Sequence, residues 1–240
     1  MPVAIVTGAS RGLGLAVAAD LADHGWSLVV DARNAAPLRD AEAELRSRAG
    51  SRQQIIALAG SVADADHRAD LVAAADDLGG LDLLVNNAGI LGPSPLPGLS
   101  VLGAAAYREI LEIGVVAPLS LTQLALPSLR RHHGAIVNVT SDAAVEAYAG
   151  WGGYGSAKAA LEQWSRVLSV ELAESGEDVR VWWVDPGDLR TEMHQDAFPG
   201  EDISDRPLPD TVAAAFRRLA AERPASGRHR AADILTGAPA

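Results

Sequence analysis

The chain contains no cysteine, which excludes a disulfide framework and every cysteine-ligated zinc or iron–sulfur site. Histidine is sparse, at positions 24, 67, 132, 133, 194 and 229, and no HExxH occurs, so no metal site is suggested. Basic side chains are outnumbered, 20 against 31 acidic, giving a formal net charge of -11 and a pI near 4.9. That balance argues against broad attraction to nucleic acid or to an anionic membrane. The opening MPVAIVTGAS lacks a charged n-region followed by a long apolar stretch, so secretion is not indicated. The uncharged apolar run Gly114 to Leu129 contains prolines and is shorter than the ~20 residues of a spanning helix. A soluble cytoplasmic protein with no membrane partner is the expectation. The most telling scarcity is lysine: 19 of the 20 basic residues are arginine, and the only lysine is Lys158.

What is present is a chain of 240 residues, 48% hydrophobic and 21% charged. That suits one folded domain, 1–240, because single cores stop growing near ~250–300 residues. Short apolar, β-branched runs alternate with Ala-rich segments of helical length, the pattern of repeated βαβ units. Strands are expected at Val3–Thr7, Leu28–Ala32, Ile55–Ala59, Leu83–Asn86, Ala135–Val139 and Val179–Val184. Helices are expected over 12–24, 36–48, 64–78, 104–131, 154–175 and 210–222. Continuously apolar strands imply burial on both faces, hence a doubly wound α/β (Rossmann) fold with a parallel sheet of six to seven strands. Segments of about 89–103, 142–153 and 187–209 are expected as substrate loops, since ligands of open α/β sheets bind at the strands' carboxyl ends.

The first strand runs directly into Thr7-Gly8-Ala9-Ser10-Arg11-Gly12-Leu13-Gly14 and then a helix. Glycines there allow a tight turn and close approach of backbone to a pyrophosphate, and the helix N-terminus favours negative charge. Further along come Asn86-Asn87-Ala88-Gly89, Asn138-Val139-Thr140-Ser141, Tyr154-Gly155-Ser156-Ala157-Lys158 and Asp185-Pro186-Gly187. Tyr154 and Lys158, four apart on a helix, share one face. A phenol has a pKa of ~10, too high for free proton exchange near neutrality. A positive charge ~4 Å away is worth ~4 kcal/mol at an effective dielectric of ~20, about three pK units before opposing desolvation. Tyr154 is therefore a candidate acid in reduction and base in oxidation.

TGxxxGxG, NNAG, a serine thirteen residues before the tyrosine, YxxxK and PG occur in one order over residues 3 to 192. In these motifs the chain resembles the single-domain branch of the short-chain dehydrogenase/reductase family. The resemblance implies reversible hydride transfer between a nicotinamide and a carbonyl or secondary alcohol. It makes Ser141, Tyr154 and Lys158 catalytic, Ser141 bonding the substrate oxygen and Lys158 also holding the nicotinamide ribose. It implies a cofactor site of Gly8, Ser10, Arg11, Gly12, Leu13, Gly14, Arg33, Ser61, Val62, Asn87, Ala88, Gly89, Tyr154, Lys158, Pro186, Gly187 and Thr191.

An acidic residue ~20 positions after a glycine turn usually binds the ribose of NAD, which points to Asp31. Gapless counting places the family's discriminating acidic position on Ala32 instead, with Asp31 on the strand's other face. Arg33 follows Ala32 and Arg11 sits inside the glycine turn, an arrangement that the resemblance links to NADP-preferring members, and two guanidiniums suit a 2′-phosphate, so NADP is the expected cofactor, with NAD possible. Three features depart from the family pattern. Gly114 replaces an asparagine that the family carries at a helix irregularity, Ser61 replaces an aspartate that contacts adenine, and Ser226 to Asp233 lacks the usual glycine-rich last strand. Leu91, Pro95, Leu96, Tyr148, Trp151 and Met193 flank the motifs and suit an apolar or aromatic small carbonyl or alcohol. Asp142, Glu146, Glu192 and His194 read either as polar specificity or as solvated loop charges. Leu119, Leu126, Leu161 and Leu168 make helices 104–131 and 154–175 candidates for a dimer or tetramer interface. A cofactor-binding sensor or scaffold, with catalysis impaired by Gly114, is the alternative to a carbonyl reductase. A sugar-nucleotide epimerase or dehydratase is disfavoured by chain length.

Overall fold

Runs of aliphatic residues set the architecture, seen in a computed structural model that describes residues 1–237. The last three positions of the expected 1–240 unit lie outside the described residues. Along the chain come β1 (Val3–Val6), α1 (Gly12–Asp23), β2 (Ser27–Ala32), α2 (Ala35–Arg48), β3 (Ile55–Ala59), α3 (Ala65–Asp77) and β4 (Leu83–Asn86). Then follow α4 (Ala104–Leu111), a π turn (Glu112–Val116), α5 (Ala117–His132), β5 (Ala135–Val139), a 3₁₀ turn (Asp142–Ala144) and α6 (Gly152–Glu174). The chain continues through β6 (Arg180–Asp185), α7 (Glu192–Ala197), α8 (Asp210–Glu222), β7 (Gly227–Arg230) and α9 (Ala231–Thr236).

All seven strands are parallel, in the order β3-β2-β1-β4-β5-β6-β7. Successive residues of one strand serve opposite layers, as the period of two requires. Val6, Val30, Val85, Val137 and Trp182 pack against α1 and α8, where Phe216 is fully buried. Their neighbours Ile5, Val29, Leu84, Ile136 and Val181 pack on the other face against Leu71 of α3, Leu121 and Leu129 of α5 and Leu172 of α6. The order reverses between β1 and β4, which opens a crevice at their carboxyl ends.

The expected helix over 104–131 differs in one respect. It is broken by the π turn, with Gly114 at its centre, and a Cβ there would lie 3.2 Å from the Cβ of Ala157 on α6. The span Ala104–His132 is long and apolar enough to cross a membrane by length and composition, yet Leu121, Ala125 and Leu129 are buried against the sheet. β7, of sequence Gly-Arg-His-Arg, has no apolar run to announce it. It pairs along the edge of β6 from Trp182↔Gly227 to Asp185↔Arg230.

Candidate active site

The crevice is built around Thr7, at the end of β1. Its hydroxyl accepts the main-chain N–H groups of Asn87 and Ala88, each at 3.0 Å, which joins the glycine-rich turn to the segment after β4. The Asn87 amide donates to the carbonyls of Thr7 at 2.8 Å and Gly8 at 3.2 Å. Gly8 and Gly12 have φ of +68° and +59°, which side chains rarely adopt. A Cβ on Gly14 would sit 2.4 Å from the Gly8 carbonyl oxygen, so only glycine lets α1 approach the turn this closely. Arg11 occupies the N-cap of α1 without a side-chain cap to the helix, so the first-turn N–H groups receive no side-chain acceptor. A glycine cradle ending on such a helix start fits the pyrophosphate of a dinucleotide.

Asp31 is 1% exposed and both its carboxylate oxygens are engaged. One accepts the Gly8 N–H at 2.7 Å and the other meets His67 Nε2 at 3.0 Å. Asp31 thus braces the turn, and it lines the cleft together with its neighbour Ala32. Arg33 is exposed on that wall and makes no ion pair among the described residues. Arg11 pairs with Glu192 at the start of α7, across the mouth of the cleft.

On the other side of the crevice α6 carries Tyr154 and Lys158. Gly155 brings this helix against the 3₁₀ turn, since a Cβ there would lie 2.5 Å from the Ala143 carbonyl oxygen. Lys158 is buried, donates from Nζ to the Val139 carbonyl at 2.7 Å, and stands 5.3 Å from the centre of the Tyr154 ring. Ser141 caps the 3₁₀ turn: its Oγ accepts the Ala143 N–H at 3.1 Å and donates to Asp142 Oδ1 at 2.9 Å. Beneath them a buried polar chain locks β4, β5, α5 and α6 together. Asn86 donates to Asn138 at 2.8 Å and to Thr122 at 3.2 Å, and Asn138 donates to Ser165 at 2.7 Å.

The electrostatics correct one expectation. Lys158 was expected to draw the Tyr154 phenol downward, but the phenol is raised well above its ordinary range. Loss of hydration is the largest cause, followed by the negative charges of Asp185 and Asp142. Burial also pushes the Lys158 ammonium down to about 8. Desolvation dominates because both members of the pair have left water. In the protein by itself Tyr154 is a protonated donor.

Ser141, Tyr154, Lys158, Gly8, Ser10, Arg11, Gly12, Leu13, Arg33, Val62, Asn87, Ala88, Gly89, Pro186, Gly187 and Thr191 all line one cleft of about 1340 Å³. That exceeds the ~300–1,000 Å³ of an ordinary small-ligand pocket and suits an extended dinucleotide with room beside it. Gly14 and Ser61 stand outside the cleft wall; Gly14 packs beneath the turn, and the Ser61 hydroxyl accepts the Ala63 N–H at 3.3 Å. Thr191 caps α7, its hydroxyl accepting from His194 N at 3.1 Å, and a Cβ on Gly12 would meet its methyl at 3.5 Å. At the open end Trp151 meets Tyr154 edge to face at 5.7 Å between ring centres and Phe198 at 6.0 Å. Of the flanking side chains named from the sequence, Leu91, Tyr148, Trp151 and Met193 reach the cleft, whereas Pro95 and Leu96 do not. Sequence reasoning weighed Asp31 as a ribose ligand and Asp142 as a specificity or solvated charge, and passed over His67 and Asp185 as site-shaping groups. Neither His67, on α3, nor Asp185, at the end of β6, carries a spacing signal, and burial alone distinguishes them from solvated residues.

Residues 2–202 match the family model described as short chain dehydrogenase. Dehydrogenase/reductase SDR family member 4 of Caenorhabditis elegans is 31% identical over 220 residues, covering 90% of this chain and 82% of that protein. The structure of a short chain dehydrogenase from Pseudomonas syringae superposes with a TM-score of 0.88 at 30% identity, over 96% of this chain and 94% of the other. An alcohol dehydrogenase from the archaeon Thermococcus sibiricus, solved with 5-hydroxy-NADP, gives a TM-score of 0.83 at 27% identity, over 96% and 95% of the two chains.

Proposed function

The chain belongs to the short-chain dehydrogenase family and is an NAD(P)-dependent oxidoreductase acting on CH–OH or C=O groups, and from that premise we propose an NADP-preferring carbonyl reductase for a small apolar or aromatic ketone or secondary alcohol. The observation that carries this reading is the placing of Ser141, Tyr154 and Lys158 in one cleft with the glycine cradle and an unpaired Arg33. Gly8, Gly12 and the start of α1 would hold the pyrophosphate, Lys158 and Tyr154 the nicotinamide ribose, and Arg33 with Arg11 the 2′-phosphate. Hydride donation or acceptance is the chemistry that a nicotinamide would supply when bound there.

The chain's own part is proton transfer and orientation. In reduction the raised phenol of Tyr154 is already protonated and donates from Oη to the developing alkoxide. Ser141 turns its hydroxyl from Asp142 to the substrate oxygen, fixing it between the two hydroxyls. In oxidation Tyr154 must lose its proton, and Lys158 is the positive side chain placed to favour that loss. Leu91, Trp151, Met193 and Phe198 form an apolar wall that keeps water from the reacting carbon. The groove between α5 and α6, lined by Leu119, Leu126, Trp164 and Val167, supports a homo-oligomer built on that face. Light scattering that gives a mass of 24.9 kDa at micromolar protein would contradict it.

Fluorescence titration with NADPH and NADH tests the cofactor assignment. NADPH should bind tighter, and Arg33→Ala should narrow the gap by roughly ten- to a hundredfold, the worth of a charge-assisted phosphate contact. Equal affinity for the two cofactors in the unmodified protein would overturn the preference.

A further inference from the structure

The carboxyl-terminal strand departs from the family pattern, and the structure shows Arg228 of that strand bonded to residues that adjoin the site. Its Nε donates to Glu162 Oε1 at 3.0 Å, and one terminal nitrogen donates to Asp185 Oδ2 and to the Ser141 carbonyl, each at 3.2 Å. Glu162 and Asp185 are 4% and 5% exposed. Glu162 also accepts from the Thr140 hydroxyl at 2.8 Å, and Asp185 accepts the Gly187 N–H at 2.9 Å. Among the described residues no other cation pairs with either carboxylate. One guanidinium therefore ties four elements together: β7, α6 one turn beyond Lys158, the end of β6, and the main chain of Ser141.

Two carboxylates this buried need a counter-charge, and a planar fork spreads its donors over separate nitrogens to span acceptors on several elements, whereas the three donors of an ammonium diverge from one atom. We propose that Arg228 is a positioning residue for the reaction, holding the Ser141 turn against Tyr154 and neutralising Asp185 behind the phenol. The second half of this statement rests on the oxidoreductase reading; the first half does not. The charged and titratable groups facing Tyr154 are Lys158 on its own helix, Asp142 of the 3₁₀ turn, Asp185 of β6 and, across the cleft, His194 of α7. Arg228 pairs with Asp185 at 3.2 Å. Removing it leaves the Asp185 charge uncompensated and makes the phenolate harder to form.

The test compares the unmodified protein with Arg228→Met and Arg228→Lys. Amide hydrogen exchange over Ser141–Val145 should quicken about tenfold or more in Arg228→Met, while the glycine turn at Gly8–Gly14 keeps its protection. With an alcohol that the unmodified protein oxidises, kcat should fall roughly ten- to a hundredfold with the KM for NADP little changed, as a small misplacement of reacting groups produces. The rising limb of kcat against pH should also move to higher pH. Arg228→Lys should restore the position of that limb and leave exchange fast, since the charge returns without the fork. Should Arg228→Met fail to fold, Glu162→Gln/Arg228→Met removes one unpaired carboxylate and carries the same readouts. Unchanged exchange over Ser141–Val145 would overturn the positioning role, and an unmoved pH limb would overturn the electrostatic one. If no alcohol or ketone is turned over by the unmodified protein, the oxidoreductase reading falls while the exchange measurement still decides the positioning.

Discussion

The two walls of the cleft are held in place by different physics. On the amino-terminal wall the glycine turn is shaped by steric permission and main-chain hydrogen bonds to Thr7 and Asn87, with the Asp31–His67 pair behind it. On the carboxyl-terminal wall, Ser141, Tyr154 and Lys158 sit among Asp142, Glu162, Asp185 and Arg228, and charge balance determines both position and protonation. In the proposed function the first wall binds the cofactor and the second performs proton transfer. A binding wall needs a fixed shape, whereas a proton-transfer wall needs shape together with a tuned field. Substitutions on the two sides should therefore separate affinity from rate.

The largest separation is expected on the catalytic wall. Tyr154→Phe keeps the ring packed against Trp151 and removes only the hydroxyl. Its kcat should drop by about 10² to 10⁴-fold, with NADPH affinity measured by fluorescence nearly unchanged.

Lys158→Met should affect both walls and stability as well. The Lys158 pKa is lowered from 10.5 to about 8, so between those values the unfolded chain holds a proton that the folded chain has released. Stability then rises with pH through this window, and the full cost of burying the ammonium is felt below it. Thermal melts should show Lys158→Met more stable than the unmodified protein by up to about 3 kcal/mol near neutrality, with the difference closing as pH climbs through the window. Cofactor binding and turnover should both weaken, and a variant less stable at neutral pH would contradict the cost assigned to this ammonium.

On the binding wall, Asp31→Ala leaves the Gly8 N–H and His67 without a buried acceptor. It should cost about 1–3 kcal/mol of stability and raise the Kd for NADPH while leaving kcat at saturating cofactor close to normal. The smallest effect is expected at Gly114→Asn. Its Cβ would sit 3.2 Å from that of Ala157, a crowding that slight shifts relieve, so about 1 kcal/mol of destabilisation by chemical denaturation is expected. A larger loss of rate than of stability would place Gly114 in the catalytic apparatus.

Legibility in the sequence follows the same division. Six strands and six helices lie within about two residues of their expected positions, because buried parallel strands must be continuously apolar and glycine turns must carry glycine. Ser141, Tyr154 and Lys158 were legible by their order and spacing. What was not legible depends on partners distant in sequence. β7 is a strand only because β6 lends it an edge, and nothing in Gly-Arg-His-Arg reveals this. Arg228 reaches partners 43 to 87 positions away, beyond any helix or strand period. The direction of the Tyr154 shift was misjudged because attraction by Lys158 follows from helical spacing, whereas desolvation and the Asp185 charge emerge only once the chain has folded around the phenol. The break at Glu112–Val116 hides inside a smooth apolar pattern, and Gly114 is its single trace.

The proposed reaction requires the two walls to act together on one substrate. The most direct measurement follows NADPH absorbance during turnover with a panel of small apolar and aromatic ketones, alongside NADPH titration of the same preparation. Saturable binding together with ketone-dependent NADPH oxidation that disappears in Tyr154→Phe is the expected result. Saturable binding with no oxidation across the panel would contradict the account and leave a cofactor-binding protein without the proposed chemistry.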